Sequence, residues 1–127
     1  MKRIVIALLV LAMSMSLFVA CAPKYSPVKG GEVSVCRRYV EPPMDPVSLE
    51  KGDAEQLIAY LQNLSDGKNH LCDCMADVSL VIGEQTFYYH SDSGVLTEEG
   101  DKTNIYYVGD NREAINEILK QYITLRP

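Results

Sequence analysis

The chain has 127 residues, 47% of them hydrophobic and 23% charged, which suits one folded domain and argues against disorder. Its formal net charge is −5. That excludes a nucleic-acid binder working through clustered phosphate contacts, since Arg37-Arg38 is the sole dibasic pair beyond the N-terminus.

Lys2 and Arg3 form a positive start, followed by an unbroken apolar run from Ile4 to Met13. The run continues weakly past Ser14 and Ser16 to Val19 and ends on small Ala20. A spanning helix needs about 20 apolar residues. This shorter, interrupted run has instead the three-part layout of a secretory signal over residues 1–20.

Phe18-Val19-Ala20-Cys21 closes that segment and resembles the lipobox of bacterial lipoproteins, with Phe where that pattern prefers Leu. The resemblance covers residues 1–21. It implies cleavage after Ala20, lipidation of Cys21 and anchoring at the extracytoplasmic face of the cell membrane. Several acyl chains bury enough methylenes for durable anchoring, where one is marginal.

Five of the six prolines lie between Pro23 and Pro46. Residues 21–31 read as the lipidated cysteine and a tether, extended at its prolines and flexible at Gly30-Gly31. Residues 32–127 read as a single domain. Glu32 to Val40 alternates like a strand and stops at Glu41-Pro42-Pro43. Asp53 and Gln56 have capping-box spacing ahead of an apolar stripe, Leu57, Ile58, Leu61 and Leu64. Ser65-Asp66-Gly67 reads as the helix stop.

A β region follows. Val78, Leu80 and Ile82 share one face of a strand, and Gly83-Glu84 suits a type II′ turn into an aromatic strand, Gln85 to His90. Val95 to Thr97 and Ile105 to Val108 complete a meander, with a polar loop between them. Asp110 and Glu113 make a second capping box, before a stripe of Ile115, Ile118, Leu119, Tyr122 and Ile123. The expected fold is α+β: a two-layer domain with an antiparallel meander of three or four strands, flanked by an N-terminal and a C-terminal helix.

Beyond Cys21 the cysteines are Cys36, Cys72 and Cys74. Outside the cytoplasm thiols tend to pair. A bond between Cys72 and Cys74 would close a small strained ring, so a bridge from Cys36 to one of them is expected. It would contribute about 3–4 kcal/mol and leave one odd thiol. The alternative is a metal site for zinc or Cu(I) built on His70, Cys72 and Cys74, with Cys36 or His90 as a distant fourth ligand.

His90, Ser91 and Asp92 are neighbours, but adjacent side chains on a strand point opposite ways, so they do not make a triad. No nucleophile elbow, phosphate-binding loop or metalloprotease motif appears. An enzyme is not expected, and neither is a cofactor. Tyr88-Tyr89 and Tyr106-Tyr107 lie on expected strands, each pair sending one ring inward and one outward. Tyr89 and Tyr107 are the candidates for an interaction surface.

Cys72-Asp-Cys74, Asp77 and Tyr88-Tyr-His-Ser-Asp-Ser-Gly94 are also similar to small uncharacterised lipoproteins of Gram-positive bacteria, although those often carry Cys where Ser93 stands. That resemblance implies a fold and a location, not an activity. The reading is a lipid-anchored, non-catalytic interaction or ligand-binding module. Its partners would be the membrane, through the lipid anchor, and an envelope protein or small ligand. The alternative is a metal-binding envelope lipoprotein.

Overall fold

A computed structural model of the chain describes residues 24–71 and 74–126. The expected signal segment, Cys21 and Cys72 lie outside the described residues. Among the described residues no helix is long and apolar enough to cross a membrane.

The meander forms as β4 (Val78–Ile82), β5 (Gln85–His90), β6 (Val95–Glu98) and β7 (Tyr106–Tyr107). Three more strands extend it: β1 (Val33–Arg37), β2 (Val47–Ser48) and β3 (Ser65–Asp66). The strand order is β2-β1-β4-β5-β6-β7-β3, with every pairing antiparallel. The expected two-layer domain of three or four strands between two helices is thereby overturned. A seven-stranded open sheet dominates, and helices α1 (Lys51–Tyr60) and α2 (Arg112–Leu119) are short. β1 joins β4 across more than forty residues of chain, a pairing that no local pattern signals. β2 and β3 have two residues each, too few for period-two alternation to register.

One sheet face is the core. Val35, Leu80 and Phe87 stand side by side across three strands, as do Val78, Tyr89, Leu96 and Tyr106 across four. These residues share a single apolar cluster with Leu57 of α1 and Ile115, Ile118 and Leu119 of α2, so both helices cover the same face. The expected stripes form only in part, with Leu57 and Ile58 inside α1 and Ile115, Ile118 and Leu119 inside α2, and the expected capping boxes do not form. α1 begins ahead of Asp53 with Glu50 as N-cap, and neither helix has a side-chain cap. Asp53 instead accepts a hydrogen bond from Tyr122 Oη, which ties α1 to the C-terminal segment. Helix α1 stops at Tyr60, while Leu61 and Leu64 reach the core from the turn beyond it.

The stretch expected to be a tether lies against the domain from Tyr25 onward. Tyr25 bridges to Leu64 through two backbone hydrogen bonds of 2.7 Å. Val28 is buried in the core. Gln85 clamps the same stretch, donating to Pro27 O at 2.8 Å and accepting from Lys29 N at 2.7 Å. Prolines and glycines signal irregular backbone, not mobility, and these side-chain partners are distant in sequence.

Gly83 turns β4 into β5 with φ of +60°, while Glu84 keeps a negative φ, as a type II′ turn requires. A Cβ on Gly83 would stand 2.6 Å from Gly30 O. Gly83→Ala is expected to destabilise the fold by about 1–3 kcal/mol through strain and clash together, read as a lower urea midpoint at unchanged slope. An unchanged midpoint would mean that the 30–31 loop moves aside freely.

Candidate functional site

The start of β4, the end of β5 and the C-terminal segment meet at Asp77. This side chain is 1% exposed. It accepts hydrogen bonds from Ser91 N at 2.8 Å, from Ser91 Oγ, and from Arg126 N at 3.2 Å. Arg37 Nη1 closes an ion pair with it at 2.9 Å. Burial alone would raise the carboxyl pKa, but the hydrogen bonds from Ser91 and Arg126 outweigh burial and hold it below the ordinary carboxylate range. Ser91 O in turn accepts from Asn116 Nδ2 at 2.8 Å, and Asn116 Oδ1 accepts from Tyr89 Oη at 2.8 Å. A buried polar chain therefore runs from Arg37 through the sheet to α2.

On the opposite side of the same turn lies a second cluster. Strand alternation sends His90 away from Ser91, toward Cys74. His90 Nδ1 is 3.8 Å from Cys74 Sγ, and Asp92 Oδ2 is 3.9 Å from that sulfur. One donor atom from each of the three residues fits within 4.8 Å. Cys74 is disulfide-bonded, so these are contacts of a sulfur without a proton. Burial holds the His90 imidazole below its usual pKa, against the upward pull of Asp92, and favours the neutral ring. Arg126 Nη1 flanks Asp92 at 3.6 Å.

The expected metal set of His70, Cys72 and Cys74 is not brought together among the described residues. His70 lies over β7, its ring stacked on Tyr107 at 3.7 Å between centroids and 6° between planes. Tyr107 faces Val95, which faces His90, so two strand spacings separate the histidines. Cys74 meets His90 and Asp92 instead. The expected bridge from Cys36 is also absent: Cys36 is a free thiol that donates to Met44 O at 3.1 Å. The partner of Cys74 therefore lies outside the described residues.

Tyr89, expected as a surface residue, is 0% exposed and belongs to the core. Tyr107 is half-buried beneath His70. The outward ring of the first tyrosine pair is Tyr88. The Arg38 guanidinium lies 4.2 Å from the Tyr88 ring centre and 4.7 Å from that of Tyr39, and Arg38 Nη2 donates to Tyr39 Oη at 2.8 Å. Tyr39 is 61% exposed and holds a left-handed backbone with φ of 57°. Neither Arg38 nor Tyr39 stood out in the sequence, since their partner Tyr88 is two strands away. Asp77 left one signal, a lone acid at the mouth of the apolar run Val78–Ile82.

Around Asp92 a groove of about 670 Å³ runs along α2, lined by Arg112, Asn116, Lys120 and Arg126. All three of its cations are already engaged: Arg112 Nη1 donates to Ser91 O at 3.3 Å, Arg126 Nη2 to Met75 O at 2.6 Å, and Lys120 Nζ to Glu117 Oε1 at 3.1 Å. In comparison with known proteins, no family model, no curated protein and no solved structure matches this chain.

Proposed function

We propose that this chain is a lipid-anchored module at the outer face of a cell membrane, binding a protein of the cell envelope through the open face of its sheet. The observation that carries the binding half is the guanidinium of Arg38 held between Tyr39 and Tyr88. Arginine and tyrosine dominate interface energetics; tyrosine has few rotamers to freeze, and here the stacking has already ordered the rotamer-rich arginine. The exposed Tyr39, kept in a left-handed backbone that costs about 1–2 kcal/mol, is the kind of local strain that collects at binding sites. A flat array of this sort suits a protein surface better than a small molecule, which needs a concave pocket.

The anchoring half rests on the signal-like N-terminus and the lipobox-like run ending at Cys21. Docking of the chain from Tyr25 onward leaves four residue steps to Cys21, a reach of about 14 Å at full extension. The domain would then sit directly on the headgroups.

The test is crosslinking in cells that express the full chain. Cys21→Ser is expected to abolish palmitate labelling and release the protein from the membrane fraction. Arg38→Ala combined with Tyr88→Ala is expected to remove the dominant crosslinked partner while the thermal midpoint stays within a few degrees. Palmitate label independent of Cys21 would end the anchoring half. A crosslink pattern indifferent to the double substitution would end the binding half.

A further inference from the structure

We propose that Cys74, His90 and Asp92 form a zinc site that is closed by the Cys74 disulfide and opens on its reduction. The inference goes beyond the binding reading and stands on this cluster alone. Its three donors come from two pieces of chain, the residue stretch ahead of β4 and the turn that ends β5. Cys74 precedes β4. His90 ends β5, where its ring is 8% exposed. Asp92 lies in the tight turn closed by Gly94 N donating to His90 O at 2.8 Å. A tetrahedral zinc with bonds of about 2.3 Å to sulfur and about 2.0 Å to nitrogen sets those two ligands about 3.5 Å apart. The Cys74–His90 and Cys74–Asp92 separations of 3.8 and 3.9 Å are a few tenths of an ångström wider than that. The third pair, His90 and Asp92, lies within 4.8 Å, so closure onto an ion draws those two donors together by up to about 1.5 Å through side-chain rotation.

The donor set chooses the metal. Thiolate, imidazole and carboxylate together suit borderline Zn²⁺, whereas Cu(I) prefers sulfur throughout and Ca²⁺ or Mg²⁺ prefer oxygen. The charges also match, because one thiolate and one carboxylate offset a divalent ion. Asp92 Oδ2 faces both Cys74 and Arg126, so the carboxylate has to turn for one oxygen to hold zinc while the other keeps Arg126. Three protein ligands leave a fourth position for water or a small ligand.

The disulfide makes the site conditional. A sulfur in a disulfide is not a thiolate, and the thiolate is the ligand. A dithiol reductant delivers two electrons and two protons: the S–S bond at Cys74 breaks, two protein thiols form, and the reductant closes its own disulfide. Zinc then displaces the Cys74 thiol proton to solvent as the Zn–S bond forms. Reoxidation would expel the ion.

The full-length chain in detergent, carrying Cys36→Ser so that this thiol cannot contribute, tests the proposal. Bound zinc is measured by native mass spectrometry and by competition with a chromogenic chelator, before and after reduction with a water-soluble phosphine. One zinc per chain is expected in the reduced form and none in the oxidised form. Substitution of partners that merely orient zinc ligands already costs 10–100-fold in affinity. Both His90→Gln and the exposed Asp92→Asn should therefore weaken binding by at least about 100-fold. Equal zinc in both redox forms would overturn the proposal, as would no zinc in the reduced form. Full affinity in both variants would do the same, since the thiols alone would then be holding the ion.

Discussion

Asp77→Ala is expected to lower the unfolding free energy by about 3–5 kcal/mol, the scale for removing one member of a buried ion pair. The loss strands Ser91 N–H and Arg126 N–H and leaves the Arg37 guanidinium without its carboxylate. Arg37 is 18% exposed, so water recovers part of its hydration and the lower half of that range applies. Against a typical total of about 5–15 kcal/mol, this is a large fraction. Urea unfolding followed by circular dichroism reads it directly. The same carboxylate sets a pH dependence. Its folded pKa is depressed, so its stabilisation is complete above the unfolded value near 3.8 and is lost as pH falls through the lower folded value. Asp77→Asn should therefore be less stable than the parent at pH 7 and lose less than the parent on acidification below pH 4. An acid limb of the same steepness in both proteins would show that other carboxylates govern it.

Tyr89→Ala is expected to be as severe, at about 3–5 kcal/mol, because a large aromatic leaves a cavity that strands on both sides prevent from collapsing. Tyr89 stands between Val78 and Leu96 in cross-strand register. Tyr89→Phe keeps the ring and loses the hydrogen bond to Asn116, for about 1 kcal/mol. Tyr88→Ala should stay within about 1 kcal/mol, since it removes one partly exposed ring and its contact with Arg38. Thermal unfolding of the three variants side by side separates core from surface. If Tyr88→Ala proved the most destabilising, the inward and outward assignment of this strand would be reversed.

That assignment shows where the sequence was legible. Alternation dictates that one ring of Tyr88-Tyr89 faces the core, but the choice of Tyr89 as the surface ring was wrong, and Phe87, two residues before it on the same face, was the signal passed over. The meander from Val78 to Tyr107 and the existence of both helices were readable because each is a local pattern of fixed period, while the helix ends were not, since Leu61, Leu64 and Ile123 reach the core from beyond them. The pairing of β1 with β4 was not, because it depends on what lies opposite rather than on what lies beside. The cysteines misled for the same reason. Their spacing said which bonds would be strained and not what lies opposite each sulfur: Cys36 is a thiol whose neighbour is Met44 O. His70 and His90 were equally plausible ligands by composition. The register of β5, β6 and β7 separates them and gives Cys74 to His90.

The borders of the sheet carry a consequence of their own. β2 and β3 close it with only two residues each, and Pro46, which has no N–H to offer, stands immediately before β2. A visiting strand would find too short a ladder of free donors and acceptors to extend, so the protein resists growth by strand addition. The same brevity removes a whole mode of recognition, in which an extended peptide joins as an extra strand. Whatever engages this sheet must come down on its plane.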